Sequence, residues 1–389
     1  MDRREFIGGL AGILIGGYLG IKPNDVEAAN DLTQEIYVSY NPTNYNPNIS
    51  QYPSSDSIKK DLDTLVNAGF TGLITFGAND GLKNIPRYAK EAGMKEVIMG
   101  IWDIHASVID SGMQSTQIEE DKRQRMKIDT YNPRGENLDS MKQKIIYVVD
   151  SKGNEIPLNQ LLKSSQEIGI SKFISQHSLT LFQQQRPHLQ STSGGNEEWE
   201  NALAAKSYVD GYCAGNEGLY VSGNGGYTFD ELVAYHDALR NATGKPVTSS
   251  EVDPHYDQQW VLDNGDMLLP NIHPFWGGIR NAQDGVTMVN SRYNFLKSKI
   301  GFRPILLKET GFPTAGDSSV NETLQKDFYQ QLQNTNVNFS FFEAYDQPWK
   351  DWNPVEPHWG LWDKKRNPKP VVSIIRKKKS AVGNSWGKY

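Results

Sequence analysis

The sequence predicts an α/β fold, namely a (β/α)8 TIM barrel with a long insertion after the third strand. Short apolar runs alternate with helical patterns along the chain, which is typical of a parallel sheet with crossover helices. Two of these runs stop on a glutamate, Glu217 and Glu309, 92 positions apart. A barrel of about 250 residues places its fourth and seventh strands about 94 positions apart, so this spacing agrees with a barrel.

Three strands and two helices are predicted before residue 104. The strands are the apolar runs 36–40, 73–76 and 97–102. Ser55 is suited to cap a helix whose apolar residues share one face and which ends at Gly69. A second helix is predicted over residues 82–92, before Gly93. Their order, β-α-β-α-β, implies parallel strands joined by helices.

The pattern breaks over residues 104–195, which are polar and weakly periodic. We interpret this stretch as an insertion that leaves the third strand on the side of the expected active site, where it could cover or extend a cleft. It contains His105, His177 and His188, and their irregular spacing does not indicate a metal site.

Five further strands follow the insertion, alternating with helices. They end at Glu217 and span residues 246–250, 267–273, 305–307 and 337–343. Helices are predicted over 196–205 and around 286–296, and two more begin at the capping boxes 228–231 and 319–322. A last amphipathic stretch covers residues 371–378. The resulting total of eight strand–helix units favours a closed barrel over an open sheet.

Carboxylates and other polar groups lie at the ends of these strands, where barrel active sites are found. A charge buried there needs a partner or a function, since burying it alone costs several kcal/mol. For either glutamate alone, a structural ion pair and a catalytic role are equally good explanations. The occurrence of Glu217 and Glu309 together favours catalysis. Retaining glycoside hydrolysis uses two such carboxyl groups about 5 Å apart, one as nucleophile and one as acid and then base. The candidate substrate-binding residues are Tyr40, Asn216, Glu251, His273, Trp276, Glu343, Trp349 and Lys350.

Several motifs carry a family resemblance. They are Trp102–Asp103, Ala214–Gly215–Asn216–Glu217, Asn271–Ile272–His273–Pro274–Phe275–Trp276, Lys308–Glu309–Thr310–Gly311–Phe312–Pro313 and Phe342–Glu343–Ala344–Tyr345–Asp346–Gln347–Pro348–Trp349–Lys350, with His358–Trp359–Gly360–Leu361 beyond. The chain resembles family 17 of the glycoside hydrolases, in the clan A retaining glycosidases, and most of all its bacterial and yeast-like branch acting on β-1,3-glucans. The resemblance implies that Glu217 is the acid/base and Glu309 the nucleophile, with Glu343 and Lys350 supporting the sugar site.

The chain departs from the family pattern in two places. The family usually has an Arg-Thr-Tyr run on the second strand, where this chain has Ile74–Thr75–Phe76. The support that the arginine would give to the acid or the nucleophile is therefore unaccounted for. The segment 104–195 is also far longer than the connection that the resemblance implies.

Composition and the first residues indicate where the protein works. The net charge of −6 gives no electrostatic case for nucleic acid, and the single cysteine, Cys213, excludes an intramolecular disulfide. Arg3 and Arg4 precede a short apolar run, which resembles a twin-arginine export signal over residues 1–29; an uncleaved anchor is the alternative. We expect a barrel over 30–380, a tail over 381–389, no membrane span after signal removal, and a monomer in the periplasm, cell envelope or extracellular space.

The leading hypothesis is a retaining hydrolase of β-glucan with no cofactor or metal, whose partner is a polysaccharide or oligosaccharide. One alternative is a β-1,3-glucan transglycosylase, in which an acceptor sugar replaces water. Another is a catalytically silent sugar-binding protein of the envelope. Linkage preference and endo or exo attack stay open.

Overall fold

The structure, a computed structural model, describes residues 35–102, 104, 147–149, 155–157, 194–220 and 227–375. The expected export signal, the tail and most of the insertion lie outside these residues. The described residues belong to two units, a parallel sheet with its helices and a small hairpin within 106–193. The hairpin pairs β4 (Tyr147–Val149) antiparallel to β5 (Glu155–Pro157).

The larger unit is built on a curled sheet of seven parallel strands. Besides β4 and β5, the strands are β1 (Tyr37–Tyr40), β2 (Gly72–Thr75), β3 (Glu96–Ile101), β6 (Gly211–Asn216), β7 (Val247–Ser250), β8 (Leu307–Thr310) and β9 (Phe339–Phe341). Their order across the sheet is β7-β6-β3-β2-β1-β9-β8. This arrangement confirms the predicted parallel sheet and is TIM-barrel-like.

The prediction of a regular sixth strand over residues 267–273 is wrong. Only isolated parallel bridges occur there, from Leu268 to Ile305 and from Asn271 to Val252 and Glu309. Pro270 explains the interruption, because it has no N–H to donate to a neighbouring strand. The bridges nevertheless connect this segment to both edges of the sheet, at Glu309 within β8 and at Val252 just after β7.

Helices cover the outside of the sheet. They are α1 (Ser55–Ala68), α2 (Ile85–Ala92), α3 (Gly194–Ala205), α4 (Phe229–Thr243), α5 (Gln259–Leu262), α6 (Ala282–Lys299) and α7 (Glu322–Leu332). Side chains cap several of them, and at α4 Thr228 and Glu231 form the reciprocal capping box that the sequence predicts. At α1 the cap is Ser54 and not the predicted Ser55, which is the first residue of the helix. At α7, however, the cap is Asn321, whose side chain accepts from the Leu324 amide.

Apolar residues of several strands alternate between two cores. Leu73, Val97 and Leu307 belong to a large cluster that includes the helices. Ile74, Ile98 and Leu306, the residues next to them, join Cys213 and Met267 in a small cluster on the other face of the strands. Both faces of the sheet are therefore buried, and the ends of the strands are where polar side chains reach a cleft.

Candidate active site

A cleft with a volume of about 880 Å³ lies at the C-terminal ends of the strands. It is lined by residues from β6 and β8 and by the loops that follow β1, β2, β3, β7 and β9. The cleft brings together most of the predicted site residues: Asn216, Glu217, His273, Trp276, Glu309, Trp349 and Lys350.

Glu309 is held by two basic side chains. It lies within β8 and is 5% exposed. The Lys308 ammonium donates to its Oε1 over 2.9 Å, and Nε2 of His273 lies 3.4 Å from its Oε2. Burial alone would raise the pKa of Glu309, but Lys308 and His273 outweigh burial and lower the pKa to about 2. The carboxyl group is therefore ionised across the physiological pH range.

Glu217 has the opposite electrostatic surroundings. It follows β6 in a left-handed conformation with φ of 52°, and its amide donates to the Ser250 carbonyl over 2.7 Å. Burial raises its pKa, and the negative charge of Glu309 raises it further. This is the environment of a carboxylic acid that keeps its proton longer than usual.

Asn271 orients Glu217. Its Nδ2 donates to Oε1 of Glu217 over 2.7 Å, while its Oδ1 accepts from the Ser250 hydroxyl over 2.7 Å. The Ser250 hydroxyl can donate or accept, so it donates to the amide oxygen that remains once the NH2 group of Asn271 faces Glu217. Asn271 stands in one of the family motifs but was not predicted as a site residue. The available signal was its place two residues before the predicted end of a strand at His273.

Glu343 and Lys350 form a second charged pair near the cleft. Lys350 donates to Oε1 of Glu343 over 2.7 Å, and Asn41 Nδ2 lies 3.5 Å from the other carboxylate oxygen. Glu343 is fully buried, and burial raises its pKa to about 7 despite the nearby ammonium group. Lys350 and Asn41 line the cleft, so Glu343 affects the cleft by holding these two side chains in place.

Tryptophans supply flat apolar faces along the cleft. Trp102, Trp276 and Trp352 each expose more than half of their surface and line it. Trp349 packs edge-on against Trp352, and Trp359 is a buried part of the lining. Trp362, by contrast, offers no stacking face, because it is 2% exposed and packs in the core.

Like Glu343, two other predicted substrate-binding residues, Tyr40 and Glu251, lie behind the cleft instead of lining it. The Tyr40 ring is buried, and its hydroxyl donates to Asp61 over 2.9 Å. Glu251 is fully buried and accepts from the Tyr227 hydroxyl over 2.6 Å and from the Leu219 amide over 3.3 Å. Glu251 thus holds the backbone that follows Glu217.

Three charged residues of the site were missed by sequence reasoning. Lys308 contacts both Glu309 and Asn216, and the signal for it was a lysine within a buried run. Glu198 lines the cleft from α3 and accepts from the Ala78 amide over 2.7 Å. Glu356 also lines the cleft, and burial raises its pKa.

The residues that the structure describes contain no group of three or more histidine, cysteine, aspartate or glutamate residues able to hold a metal ion. None of the helices in that part of the chain is long and apolar enough to cross a membrane.

The site can therefore do paired carboxylate chemistry. One carboxyl group is held ionised beside a lysine, and the other is pushed toward its protonated form. Two titratable groups whose environments push their pKa values apart form the arrangement of a base or nucleophile with an acid.

Sequence comparisons place the chain among glycoside hydrolases. Residues 136–360 match the family model described as the BtgE/BtgC glycoside hydrolase domain. A protein of Aspergillus fumigatus named "Probable glucan endo-1,3-beta-glucosidase btgC" is 26% identical over 203 residues, 43% of this chain and 29% of that protein. "Probable beta-glucosidase btgE" of Emericella nidulans is 29% identical over 142 residues, 31% of this chain and 24% of that protein. The matched region thus spans less than a third of these relatives.

Solved structures show the same fold at low sequence identity. A glycoside hydrolase family 17 β-1,3-glucanosyltransferase from Rhizomucor miehei has a TM-score of 0.53 and 17% identity, covering 90% of this chain and 100% of that one. CJP38, a β-1,3-glucanase and allergen of Cryptomeria japonica pollen, has a TM-score of 0.50 and 14% identity, covering 87% and 99%.

Proposed function

Because the chain belongs to the family of the BtgE/BtgC glycoside hydrolase domain, we propose that it is a retaining glycoside hydrolase that cleaves β-1,3-linked glucan. In this proposal Glu309 is the nucleophile and Glu217 is the acid and then the base. The observation that carries it is a pair of carboxyl groups in one cleft with opposite surroundings. Glu309 contacts Lys308 and His273 while Glu217 is held by the Asn271 amide, and their pKa values shift in opposite directions. We also propose membership of glycoside hydrolase family 17, in its bacterial and yeast-like branch, and a barrel closed through residues 267–272.

The reaction proceeds in two displacements. Ionised Glu309 attacks the anomeric carbon while protonated Glu217 gives its proton to the glycosidic oxygen, so the bond to the leaving sugar breaks and a glycosyl ester forms. Glu217, now a carboxylate, takes a proton from water as that water attacks the same carbon. The ester breaks, Glu309 is released as a carboxylate, and the anomeric configuration is retained.

Around these two groups, the cleft supplies binding and orientation. Asn271 holds Glu217 in place, and the exposed faces of Trp102, Trp276 and Trp352 offer stacking surfaces for sugar rings. The choice of β-1,3-glucan rests on the names of the curated relatives. Asn41 and Lys350, both hydrogen-bonded to the buried Glu343, offer polar contacts to sugar hydroxyls at the same cleft.

Hydrolysis of a panel of β-1,3-, β-1,4- and β-1,6-glucans by the protein lacking residues 1–29 tests the proposal. We expect release of reducing ends from the β-1,3 substrate. Products longer than a laminari-oligosaccharide substrate would instead show a transglycosylase. Binding without turnover on every glucan would leave the silent sugar-binding protein and reject the enzyme.

Azide distinguishes the roles of the two glutamates. In Glu217→Ala, an aryl β-glucoside with a good leaving group still forms the glycosyl enzyme, and azide, which needs no base, should complete turnover and give the β-azide. In Glu309→Ala, azide should enter from the vacated side and give the α-azide. The reverse pattern of products would exchange the two assignments.

The proposal includes export and domain organisation. We propose that residues 1–29 direct export by the twin-arginine route to the periplasm, envelope or exterior, and that 104–195 is inserted into a glycosidase unit spanning 30–380. The adjacent Arg3 and Arg4 before an apolar run support the first statement. The break in the alternation of strands and helices supports the second.

A further inference from the structure

Lys308 is a buried lysine at the centre of the site, with a relative exposure of 1%. Lysine is almost never fully buried unless it is paired. The ammonium group of Lys308 donates to Oε1 of Glu309 over 2.9 Å and to Oδ1 of Asn216 over 2.5 Å. It also lies 4.3 Å from the centre of the Phe76 ring, within the range of a cation–π contact.

These contacts connect the two halves of the site. Glu309 belongs to β8, and Asn216 is the last residue of β6, immediately before Glu217. The ammonium group of Lys308 therefore connects the Glu309 carboxylate on β8 with Asn216 on β6, the residue before Glu217. Because ammonium is a donor only, it also requires the oxygen of the Asn216 amide to face it, which turns the NH2 group of Asn216 away from it.

The second strand supplies no cation at the position where the family resemblance expects an arginine. Ile74 is fully buried in the small apolar cluster with Cys213 and Leu306. Leu306 and Lys308 are two residues apart in the β8 region, so their side chains point to the same face of the sheet. Lys308 thus brings its charge to the end of the sheet beyond that cluster, next to Phe76.

We propose that Lys308 is the positioning residue of this site, which holds Glu309 ionised and in place and fixes the amide of Asn216. The inference rests on the proposed retaining mechanism, and it assigns the electrostatic support of the nucleophile to β8 itself. Lys308 acts through Glu309 and Asn216 and does not need to touch the sugar.

Other charged and titratable groups also surround Glu309. They are His273, in contact with it, and Glu217, Glu343, Glu356 and Cys213, which interact with it through their charges. The four acidic groups disfavour ionisation of Glu309 whenever they are charged. Removing Lys308 therefore leaves burial and like charges opposed by His273 alone, and the pKa of Glu309 should rise.

The test compares Lys308→Met with Lys308→Arg and Lys369→Met. Methionine keeps the apolar stem of Lys308 but removes its charge. Lys369→Met is the matched control, because Lys369 is 8% exposed and donates to Asp346 over 2.7 Å in a buried ion pair that does not line the cleft. Two quantities are measured for each protein: kcat/KM on an aryl β-glucoside against pH, and the pKa of Glu309 from NMR titration of ¹³C-labelled glutamate carboxyl groups, assigned with Glu309→Gln.

For Lys308→Met we expect kcat to fall on the order of a hundredfold while KM changes by less than about threefold. The acidic limb of kcat/KM and the NMR pKa of Glu309 should both rise above 4.5, the ordinary value for this glutamate. Lys308→Arg should keep the pKa low because it keeps the charge. Lys369→Met should lose stability and leave the pKa of Glu309 unchanged.

An unchanged pKa of Glu309 in Lys308→Met would overturn the inference and reduce Lys308 to a structural ion pair like Lys369. If Lys308→Met does not fold, Lys308→Gln gives the same readout, since it retains a donor for Asn216 without the charge. The NMR titration needs no substrate. An inactive wild type with a raised pKa in Lys308→Met would therefore reject the proposed function and keep the electrostatic role of Lys308.

Discussion

The stability of the protein should depend on pH through Glu309, and the Glu309→Gln variant isolates that dependence. The folded-state pKa of Glu309 is about 2, below its ordinary value of 4.5. A carboxyl group with a depressed pKa contributes stability that is present above its unfolded pKa and is lost as the pH falls through the folded pKa. The difference of about 2.5 pKa units corresponds to about 3 kcal/mol of unfolding free energy.

The assay is urea unfolding of two proteins at a series of pH values from about 7 down to about 3. Both carry Glu217→Gln, so that the neighbouring carboxyl group does not titrate, and one also carries Glu309→Gln. Removing the partner of Lys308 destabilises the variant at every pH, so the measured quantity is the change of the difference with pH. We expect the protein that retains Glu309 to have the higher unfolding free energy at pH 7, and we expect this difference to decrease steadily below pH 4.5.

A matched experiment on Glu343 should give the opposite sign. Burial raises the pKa of Glu343 to about 7. A carboxyl group with a raised pKa costs stability as the pH rises. The unfolding free energy of Glu343→Gln should therefore increase relative to the wild type by about 3 kcal/mol between pH 4.5 and about 7. Two results would refute the electrostatic assignment of Glu309. The unfolding free energy lost in Glu309→Gln could be constant from pH 7 to pH 3, or it could change with pH in the same direction as in Glu343→Gln.

Three further predictions concern the acid, the cleft and export. Asn271→Ala removes a hydrogen bond to Glu217 that lowers the pKa of Glu217, so the alkaline limb of the kcat/KM profile should move to higher pH. The kcat should also fall by about tenfold or more. An alkaline limb at the same pH in the variant would show that this hydrogen bond does not set the pKa of Glu217. Trp102→Ala should weaken the binding of long laminari-oligosaccharides by about 1 kcal/mol, which is measured as a higher KM. The KM for a short aryl glucoside should rise less. Replacing Arg3 and Arg4 by lysine should block export in a fractionation assay, and normal export of the double variant would reject the twin-arginine signal.

The sequence alone determined the succession of strands and helices and the position of Glu217 and Glu309 near strand ends. Both depend on short-range features, since apolar runs, capping residues and helix-ending glycines act within a few positions of the chain. Pro270 shows the limit of this reasoning. The segment 267–273 has the composition of a strand, but a missing N–H leaves only isolated bridges to its neighbours.

Only the tertiary structure decided what surrounds each polar side chain. Lys308 and Asn216 are 92 positions apart, and their contact depends on β6 and β8 ending at the same cleft. Tyr40 lies at the end of β1 as predicted, yet its hydroxyl turns to Asp61 in the core and away from the cleft. The pKa values of Glu217 and Glu309 separate for the same reason, since burial and neighbouring charge are set by residues distant in the chain.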